Sequence, residues 1–372
     1  MQPLNILFIE PFYGGSHKAF ADGLIYHSQH SFTLFTLPAR YWKWRMRGAA
    51  LEVARAIPSP EKFDLVCAAS MLSLADLKAL WGTACPPLIA YYHENQLNYP
   101  LSEGETRDFH YGFTDITTGL AADSLIFNSH YHRNTFFNEL PNFIRHMPDT
   151  KPLWVVDALL PKSTVLYPGI DASAFLETAN SAKPEQNPTS QASKGPLILW
   201  NHRWEHDKNP ESFFNVLFSL SEGRIPFRVA IAGEQFTRYP AVFDQAKQRL
   251  ADKIEHFGYL KSKSEYTHLL QRADIVVSTA YQENFGLSIA EAAATGCYPL
   301  LPKRLSYPEI IPQEYHPFCL YDNDTELEKR LGDLLSDRCS APVGLSEAMQ
   351  EYSWPALIGR YDALFSNLAA GS

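Results

Sequence analysis

Cysteine is scarce in this sequence, and the few cysteines lack the spacing of a metal site. The 372 residues include five cysteines and no C-x-x-C pair. This predicts reduced thiols and argues against a disulfide scaffold or a zinc module. Long apolar runs are missing too, since none approaches the roughly 20 residues that span a bilayer. The opening "MQPLNILFIEP" leaves no room for a basic leader, so we expect a cytoplasmic protein.

Positive charge is also in short supply, because 32 lysines and arginines stand against 41 acidic residues. The resulting net charge of -9 argues against a general nucleic-acid coat protein, although it permits one local basic patch. The glycine fingerprint G-x-G-x-x-G is absent, which leaves little support for a dehydrogenase. The chain length favours two domains.

Short apolar runs alternate with helix-like segments along the chain. Examples are "NILFIEP", "FDLVCAAS" and "LIAYYHEN" in the first half, and "PLILWNHRW", "FRVAIAGE" and "CYPLLPK" in the second. This alternation predicts an α/β fold with parallel sheets, which bind ligands at the carboxyl ends of their strands. We therefore predict two Rossmann-like domains that face each other across a cleft.

One polar segment, "ETANSAKPEQNPTSQASKGP", interrupts this alternation. It is rich in Pro and Ser and has no periodicity, as is typical of an interdomain linker or a disordered loop. The predicted domains are residues 1–175 and 196–350, joined by 176–195. Residues 351–372 have the apolar spacing of a closing helix, which can pack back on the first domain.

The segment "YQENFGLSIAEAAATG" follows a strand-like run and predicts a loop and then a helix that begins near Gly286. Glu291 falls on the packing face of this helix, where a carboxylate needs a partner. The two hydroxyls of a sugar diol would suit it. Glu283 lies in the loop, and the amides of Phe285, Gly286 and Leu287 form an anion site at the helix N-terminus. The simpler alternative is that both glutamates are merely solvated.

The segment "LILWNHRWEHDKNPESFFNVL" places Arg203 and Lys208 in the loop between a strand and a helix. Two cations at the end of a strand suit a diphosphate, although such a pair on its own is usually solvated surface. His202 and His206 have helical spacing but no third ligand nearby. "YDNDTE" contains a D-x-D pattern in which Asp324 reads as a helix N-cap. We therefore predict no metal site and no metal cofactor.

Two stretches of the first domain also carry candidate site residues. "EPFYGGSHKAF" predicts a tight strand-to-helix turn at Gly14 and Gly15. "LIAYYHENQLNYP" ends an apolar strand in four polar side chains, which are His93, Glu94, Asn95 and Gln96. A polar loop that caps the next helix is the alternative for these four.

In combination these motifs resemble the retaining, GT-B-fold glycosyltransferases of family 4. Glu283 and Glu291 match the family's E-x7-E pattern. The resemblance implies that Glu283 binds donor sugar hydroxyls and that Glu291 holds the nucleotide ribose. The backbone from Asn284 to Leu287 would contact sugar and phosphate. Asn284 stands where the family usually has glycine.

The same resemblance extends to the other motifs. Arg203 and Lys208 match the R-x4-K pair that neutralises the leaving diphosphate, and His93 matches a histidine that contacts the donor sugar. The loop of Gly14 and Gly15 would border the donor phosphates and the acceptor. In such enzymes the leaving diphosphate is thought to take the acceptor's proton, so the protein's work is positioning and charge stabilisation. We expect no dedicated protein base.

The N-terminal blocks, including "IEPFYGGSHKAFADGL" and "RDFHYGFTDITTGLAAD", resemble the tRNA-queuosine mannosyltransferases. That family moves mannose from GDP-mannose to the cyclopentenediol of queuosine at the wobble position of tRNA-Asp. The resemblance implies GDP-mannose and the anticodon arm of tRNA as partners. A lipid-linked, polysaccharide or small-molecule acceptor, and a non-catalytic binding module, remain as alternatives.

The stretch "ARYWKWRMRG" concentrates cations and indole rings in an acidic protein. An enzyme that acts on an anticodon loop must hold phosphates and stack on unpaired bases. We therefore predict a tRNA-binding patch, which His132 and Arg133 extend. Its central residues are Arg40, Trp42, Lys43, Trp44, Arg45 and Arg47. An amphipathic helix with core tryptophans and solvated cations is the alternative.

Overall fold

The structure is a computed structural model that describes residues 2–97, 99–101, 104, 106–171, 195–235, 237–337 and 340–371. It divides into two compact units. The first consists of Met1–Gly169 with Trp354–Ser372, and the second of Ile170–Ser353. The linker predicted at residues 176–195 lies outside the described residues apart from Gly195.

The described part of the first unit contains a six-stranded parallel sheet in the order β2-β1-β3-β4-β5-β6. Its strands are β1 (Asn5–Tyr13), β2 (Ser31–Pro38), β3 (Leu65–Ala69), β4 (Leu88–Tyr92), β5 (Ser124–Phe127) and β6 (Ser163–Val165). Its helices are α1 (Gly15–His27), α2 (Trp42–Ala56), α3 (Leu74–Trp81), α4 (Phe109–Ala121), α5 (His130–Arg145) and α6 (Trp154–Leu159). Strands β3, β4 and β5 are buried along their whole length, which explains their unbroken apolar runs.

The described part of the second unit contains a second six-stranded parallel sheet, in the order β12-β11-β10-β7-β8-β9. Its strands are β7 (Leu197–Trp200), β8 (Arg228–Ala232), β9 (Ile254–Gly258), β10 (Ile275–Val277), β11 (Tyr298–Pro302) and β12 (Leu320–Tyr321). Its helices are α7 (Pro210–Glu222), α8 (Val242–Arg249), α9 (Lys263–Arg272), α10 (Leu287–Ala294), α11 (Tyr307–Ile310), α12 (His316–Cys319), α13 (Asp324–Asp337) and α14 (Leu345–Ala348). The two parallel sheets confirm the predicted pair of Rossmann-like domains.

The last helix, α15 (Trp354–Ala370), belongs to the first unit. Trp354 is buried and lies 5.7 Å from Phe20 of α1, measured between ring centroids. Tyr361 donates a hydrogen bond to the carbonyl of Tyr167 at 2.9 Å. Apolar packing and a partly buried hydrogen bond therefore join α1, the chain near Tyr167 and α15 in one core.

Gly23 of α1 leaves room for the Trp354 ring, because a Cβ at this position would lie 2.0 Å from the indole Nε1. We expect Gly23→Ala to destabilise the first unit by about 1–3 kcal/mol through overpacking. Gly359→Ala is the matched control, since it is also a helical glycine but has open space around it. Alanine favours a helix, so the control should keep or raise the melting temperature. Equal melting temperatures for the two variants would contradict this packing.

Three details bear on the sequence predictions. Asn323 caps α13, because its side chain accepts a hydrogen bond from the Glu326 amide at 3.1 Å. Asp324 is instead the first helical residue, so its assignment as the N-cap was wrong by one position.

Four of the five cysteines lie in the described residues, and all four are free thiols. In the same residues, the helices are too short or too polar to cross a membrane.

Candidate functional site

The loop from β10 to α10 carries the two-glutamate motif. Gly286 forms the N-cap of α10 with a φ of +94°, a conformation that glycine adopts without the cost of a Cβ. Ser306 holds the loop by donating to the Phe285 carbonyl at 2.9 Å, and Asn284 is buried within it. Helix α10 then begins at Leu287, as predicted within one residue. The amides of Ile289 and Ala290 donate to the Gly286 carbonyl, whereas the amides of Leu287 and Ser288 precede the first intrahelical hydrogen bond.

Lys208 joins this loop to the loop that follows β7. Its Nζ donates to the Gln282 carbonyl at 2.6 Å and to Glu283 Oε2 at 3.3 Å. The Tyr281 amide donates to the Asp207 carbonyl at 2.7 Å, which ties the two backbones together. The structure therefore brings two predicted catalytic residues, Lys208 and Glu283, into direct contact although they lie far apart in the sequence.

The charge of Lys208 is set by its neighbours. Burial disfavours the ammonium form, but Glu283 and the buried Asp207 outweigh it and raise the pKa of Lys208. Arg203 is more exposed, and its guanidinium lies 3.0 Å from Glu205 Oε2. Arg203 acts on Lys208 through longer-range repulsion. The second unit thus holds a buried ammonium and a second, more exposed cation whose charge acts on it.

Glu291 lies on α10 in a separate hydrogen-bonded group. Tyr266 of α9 donates to Glu291 Oε2 at 3.1 Å, and the Asn201 amide donates to the Tyr266 hydroxyl at 3.2 Å. Asn201 also binds the Ser288 carbonyl at 3.0 Å. Burial raises the pKa of Glu291 to about 7 despite the hydrogen bond from Tyr266. The need for a polar partner on the packing face, which the sequence indicated, is thus partly met by Tyr266.

In the first unit, His93 follows the end of β4 and belongs to a compact polar cluster. Its Nε2 lies 3.6 Å from Glu10 Oε2, and its ring stacks on that of His17 with centroids 4.0 Å apart. The two nitrogens of His17 lie 3.2 Å from Glu10 Oε1 and 3.4 Å from Glu94 Oε2. Ser70 also contacts Glu94, at 3.4 Å. His93 and Glu94 are therefore brought together around His17.

The glycine turn leads directly into this cluster. Gly14 is the N-cap of α1, and a Cβ there would lie 2.5 Å from the Cβ of Ala39. Gly15 has a φ of +50°. The turn therefore needs both glycines, one for close approach and one for its backbone conformation. It also sets the position of His17 near the start of α1.

The predicted tRNA patch lies on α2 and just before it. The opposite face of this helix is buried and carries Met46, Ala50 and Val53. Helix α2 is therefore amphipathic, as the alternative of an amphipathic helix predicted. Trp44 nevertheless remains 66% exposed, which rules out a core role for this ring in the first unit. The exposed cations are Arg40, Lys43 and Arg47. Arg45 is half-buried and donates to the Pro38 carbonyl at 3.4 Å.

Tyr111 of α4 completes the patch. Its ring lies 5.2 Å from that of Trp42, and the Arg47 guanidinium lies 5.9 Å from its centroid. Lys43 Nζ lies 5.5 Å from the Trp42 ring centroid. Arg47 also donates to the His110 carbonyl at 3.3 Å. Cations and aromatic rings from α2 and α4 therefore form one surface.

Three residues that the sequence predicted to contact the acceptor are buried or half-buried in the structure. His132 is fully buried and hydrogen-bonded to Asn128 at 2.8 Å, so it does not extend an exposed patch. Asn95 is 1% exposed, and its Oδ1 accepts from the Leu97 amide at 3.0 Å, which makes it a turn-forming residue. Arg133 is half-buried and donates to Ser163 of the edge strand β6 at 2.8 Å.

Gln96 is half-buried, and its backbone N–H donates to Asp115 Oδ2 at 2.6 Å. Asp115 lies on α4, so this bond fixes the loop after β4 against that helix. The predicted role of Gln96 as an acceptor contact stays a prediction.

Sequence reasoning missed four residues that the structure joins to the predicted ones, namely Glu10, His17, Tyr111 and Tyr266. The sequence did contain a signal for Glu10, because a glutamate interrupts the apolar, strand-like run "NILFIEP". The structure shows that Glu10 is fully buried, and a buried carboxylate needs partners. The other three look like ordinary helix residues in the sequence. Their partners come from distant segments, which no local pattern reveals.

The fold is shared with known glycosyltransferases. Sucrose-phosphate synthase from Thermosynechococcus elongatus matches with a TM-score of 0.75 at 16% identity, over 99% of this chain and 100% of that one. Anabaena HepE in complex with UDP matches with a TM-score of 0.65 at 14% identity, over 98% and 100%. With its two parallel sheets, this protein has the GT-B fold.

Sequence relatives define the group more narrowly. Residues 5–170 match the family described as tRNA-queuosine alpha-mannosyltransferase N-terminal, and residues 182–353 match the glycosyl transferases group 1. The Drosophila melanogaster tRNA-queuosine alpha-mannosyltransferase is 40% identical over 330 residues, which cover 88% of this chain and 86% of that protein. The chain belongs to the tRNA-queuosine alpha-mannosyltransferase family.

Proposed function

We propose that this enzyme transfers mannose from GDP-mannose, with retention of configuration, to the cyclopentenediol of queuosine at the wobble position of tRNA-Asp. The observation that carries this proposal is the 40% identity to the Drosophila enzyme over 88% of the chain. Such similarity extends across both units. The arrangement of charged and aromatic side chains within each unit supports it.

On the donor side, the second unit offers the groups that a sugar diphosphate needs. The first-turn amides of α10 and the Lys208 ammonium are donors suited to phosphate oxygens. Glu283, held 3.3 Å from Lys208 Nζ, would accept protons from the sugar hydroxyls. Glu291 would bind the ribose hydroxyls, with Tyr266 fixing one carboxylate oxygen.

For the chemical step, we propose that charge stabilisation of the departing diphosphate dominates. Lys208 and the N-terminus of α10 would lower the energy of this leaving group, with Arg203 as a further cation. The diphosphate itself would take the proton of the acceptor hydroxyl. The proposal includes no metal ion and no dedicated protein base.

On the acceptor side, the patch of α2 and α4 has the chemistry of a single-stranded RNA contact. Trp44 is exposed for stacking on a base, and the cations Arg40, Lys43 and Arg47 would bind phosphates. The Arg47 guanidinium lies over the Tyr111 ring, 5.9 Å from its centroid. A flexible anticodon loop can present both groups to such a surface.

Nucleoside mass analysis tests the proposed function. The protein is incubated with queuosine-containing tRNA-Asp and, in separate reactions, with GDP-mannose and several other sugar nucleotides. We expect a hexose-shifted queuosine only with GDP-mannose, and none on tRNA that carries guanosine at the wobble position. Transfer from another donor would replace the donor assignment. No shift with any donor, together with transfer to a lipid or polysaccharide acceptor, would contradict the tRNA assignment.

Trp44→Ala should weaken tRNA binding without changing donor binding. Loss of one stacked base costs about 1–3 kcal/mol, so we expect the Kd for tRNA to rise roughly 5- to 150-fold. Trp154→Ala is a matched control, because Trp154 belongs to the same unit and is 61% exposed. Filter binding at fixed salt measures both. Equal affinities of the two variants for tRNA would show that α2 is not the RNA surface.

A further inference from the structure

Asn201, Tyr266 and Glu291 form a chain of hydrogen bonds at the first turn of α10. The Tyr266 hydroxyl donates to Glu291 Oε2 at 3.1 Å. The side-chain nitrogen of Asn201 donates to the Tyr266 hydroxyl at 3.2 Å and to the Ser288 carbonyl at 3.0 Å. Three segments that are distant in the sequence, namely the loop after β7, α9 and α10, are therefore joined through polar side chains.

The Ser288 carbonyl fixes the direction of the hydrogen bonds in this chain. A carbonyl oxygen can only accept, so the buried Asn201 must turn its NH2 group toward Ser288. The second proton of that group then points to the Tyr266 oxygen. Because this oxygen accepts from Asn201, the Tyr266 proton is directed at Glu291. Burial, and then the charge of Glu291, raise the pKa of Tyr266 well above its usual range, so the hydroxyl keeps its proton.

The hydrogen bond from Tyr266 also orients the Glu291 carboxyl group. A carboxylate offers about four acceptor positions, and Tyr266 occupies one of those on Oε2. With Oε2 held, rotation of the carboxyl group about its last bond is restricted, so Oε1 takes a defined direction. Glu291 itself is half-buried.

The charge of Glu291 depends on the same hydrogen bond. Burial raises the pKa of Glu291 to about 7, and the bond from Tyr266 opposes this rise. Lys263 at the start of α9 also favours the carboxylate, to a smaller extent. Asp171, which is paired with Lys263, disfavours it. Tyr266 is therefore the neighbour that favours the charged form most.

Other elements also pack against α10. Helix α14 and residues 349–352 do so, and their carboxylates Glu347 and Glu351 are exposed. Strand β11 does so too, and its Tyr298 hydroxyl donates to the Phe318 carbonyl at 3.0 Å. Within the described residues, the ionisable groups that act on the Glu291 carboxyl group are therefore those of α9 and Asp171.

We propose that Asn201 and Tyr266 are positioning residues of the donor site, which hold the Glu291 carboxylate so that Oε1 accepts a hydrogen bond from a hydroxyl of the donor ribose. The proposal rests on the ribose contact of Glu291 in the proposed function. Neither residue belongs to the two-glutamate motif, and both act through Glu291.

Tyr266→Phe tests the proposal, because it removes the hydroxyl and keeps the ring. The measured quantity is the ratio of the Kd for 2′,3′-dideoxy-GDP to the Kd for GDP, followed across neutral pH. This ratio isolates the ribose hydroxyls, since phosphate titration is common to both nucleotides. In the wild-type protein the ratio should rise roughly 10-fold as the pH rises through the pKa of Glu291, because a carboxylate is the stronger acceptor. In Tyr266→Phe the midpoint should move up by about one to two pH units.

Tyr298→Phe is the matched control, because it also deletes the hydroxyl of a buried tyrosine in the second unit. It should keep the wild-type ratio and midpoint. Asn201→Leu should move the midpoint in the same direction as Tyr266→Phe by a smaller amount, and it replaces that variant if Tyr266→Phe fails to fold. Melting temperatures report the folding of all three variants.

An unchanged midpoint in folded Tyr266→Phe, with both nucleotides weakened alike, would show a purely structural role and overturn the proposal. A wild-type ratio that does not change with pH would overturn it as well. Ribose is common to nucleotide donors, so UDP and its dideoxy analogue serve if UDP binds more tightly than GDP. Mannosyl transfer is assayed separately. Its failure would contradict the proposed function, whereas an unchanged midpoint in an active enzyme would contradict this inference alone.

Discussion

Lys208→Met should lower kcat/KM for mannosyl transfer by about 10²- to 10³-fold, the usual effect of removing one group that stabilises transition-state charge. An ammonium has three protons, and two hydrogen bonds hold Lys208 to Gln282 and Glu283. The third has only the Asp207 carboxylate nearby, 3.4 Å from Nζ, and we expect it to turn to an oxygen of the departing diphosphate. The loss should appear in kcat, because the negative charge on the diphosphate grows as the sugar departs.

Two variants separate this effect from a loss of folding. Lys208→Met also removes the counter-charge of the buried Asp207, which lies 3.4 Å from Nζ, so the melting temperature is measured alongside the kinetics. Lys208→Arg keeps the charge and should recover part of the activity. Lys329→Met changes an exposed lysine of α13 and should change nothing. Wild-type kcat in a folded Lys208→Met variant would remove Lys208 from the mechanism.

Glu283→Gln should reduce transfer by roughly 10- to 100-fold, equivalent to about 1.5–3 kcal/mol for a hydrogen bond to a charged group. Glutamine keeps an oxygen that can accept from Lys208, so the loop should remain folded. The lost carboxylate is the one that we propose for the sugar hydroxyls. Affinity for GDP-mannose should therefore fall, while affinity for GDP stays within about threefold.

Calorimetric titration of Glu283→Gln with GDP and with GDP-mannose distinguishes a sugar contact from a general defect. Glu265→Gln provides a control in the same unit, since this exposed glutamate belongs to the capping box of α9. It should leave both affinities unchanged. Equal losses for GDP and GDP-mannose in Glu283→Gln would mean that this carboxylate organises the loop and does not touch the sugar.

The strand content could be predicted well from the sequence, because a parallel sheet buries both faces of its strands and leaves unbroken apolar runs. The two-residue strand β12 (Leu320–Tyr321) was missed, since it is too short to show a pattern. The four-residue helices, such as α11 and α14, were missed for the same reason. The start of α10 was predicted correctly to within one residue. The glycine there was a usable signal, because Gly286 has a positive φ, a backbone conformation that favours glycine.

The candidate site was only partly predictable. Motif spacing identified Lys208 and Glu283, and the structure places them in contact. The burial of Asn95 and His132 was not predicted, because polar residues after a strand can turn inward when backbone or side-chain partners satisfy them. Glu10 shows the reverse case, a charged residue inside a strand. Its partners arrive from α1 and β4, and only the folded sheet brings them to one place.

The most direct test of the donor site is a crystal structure of the protein soaked with GDP-mannose. We expect diphosphate oxygens within hydrogen-bonding distance of Lys208 Nζ and of the amides of Gly286 and Leu287, with the ribose hydroxyls on Glu291. A nucleotide bound away from residues 281–291, with no diphosphate oxygen within hydrogen-bonding distance of Lys208 Nζ, would contradict the proposed donor site.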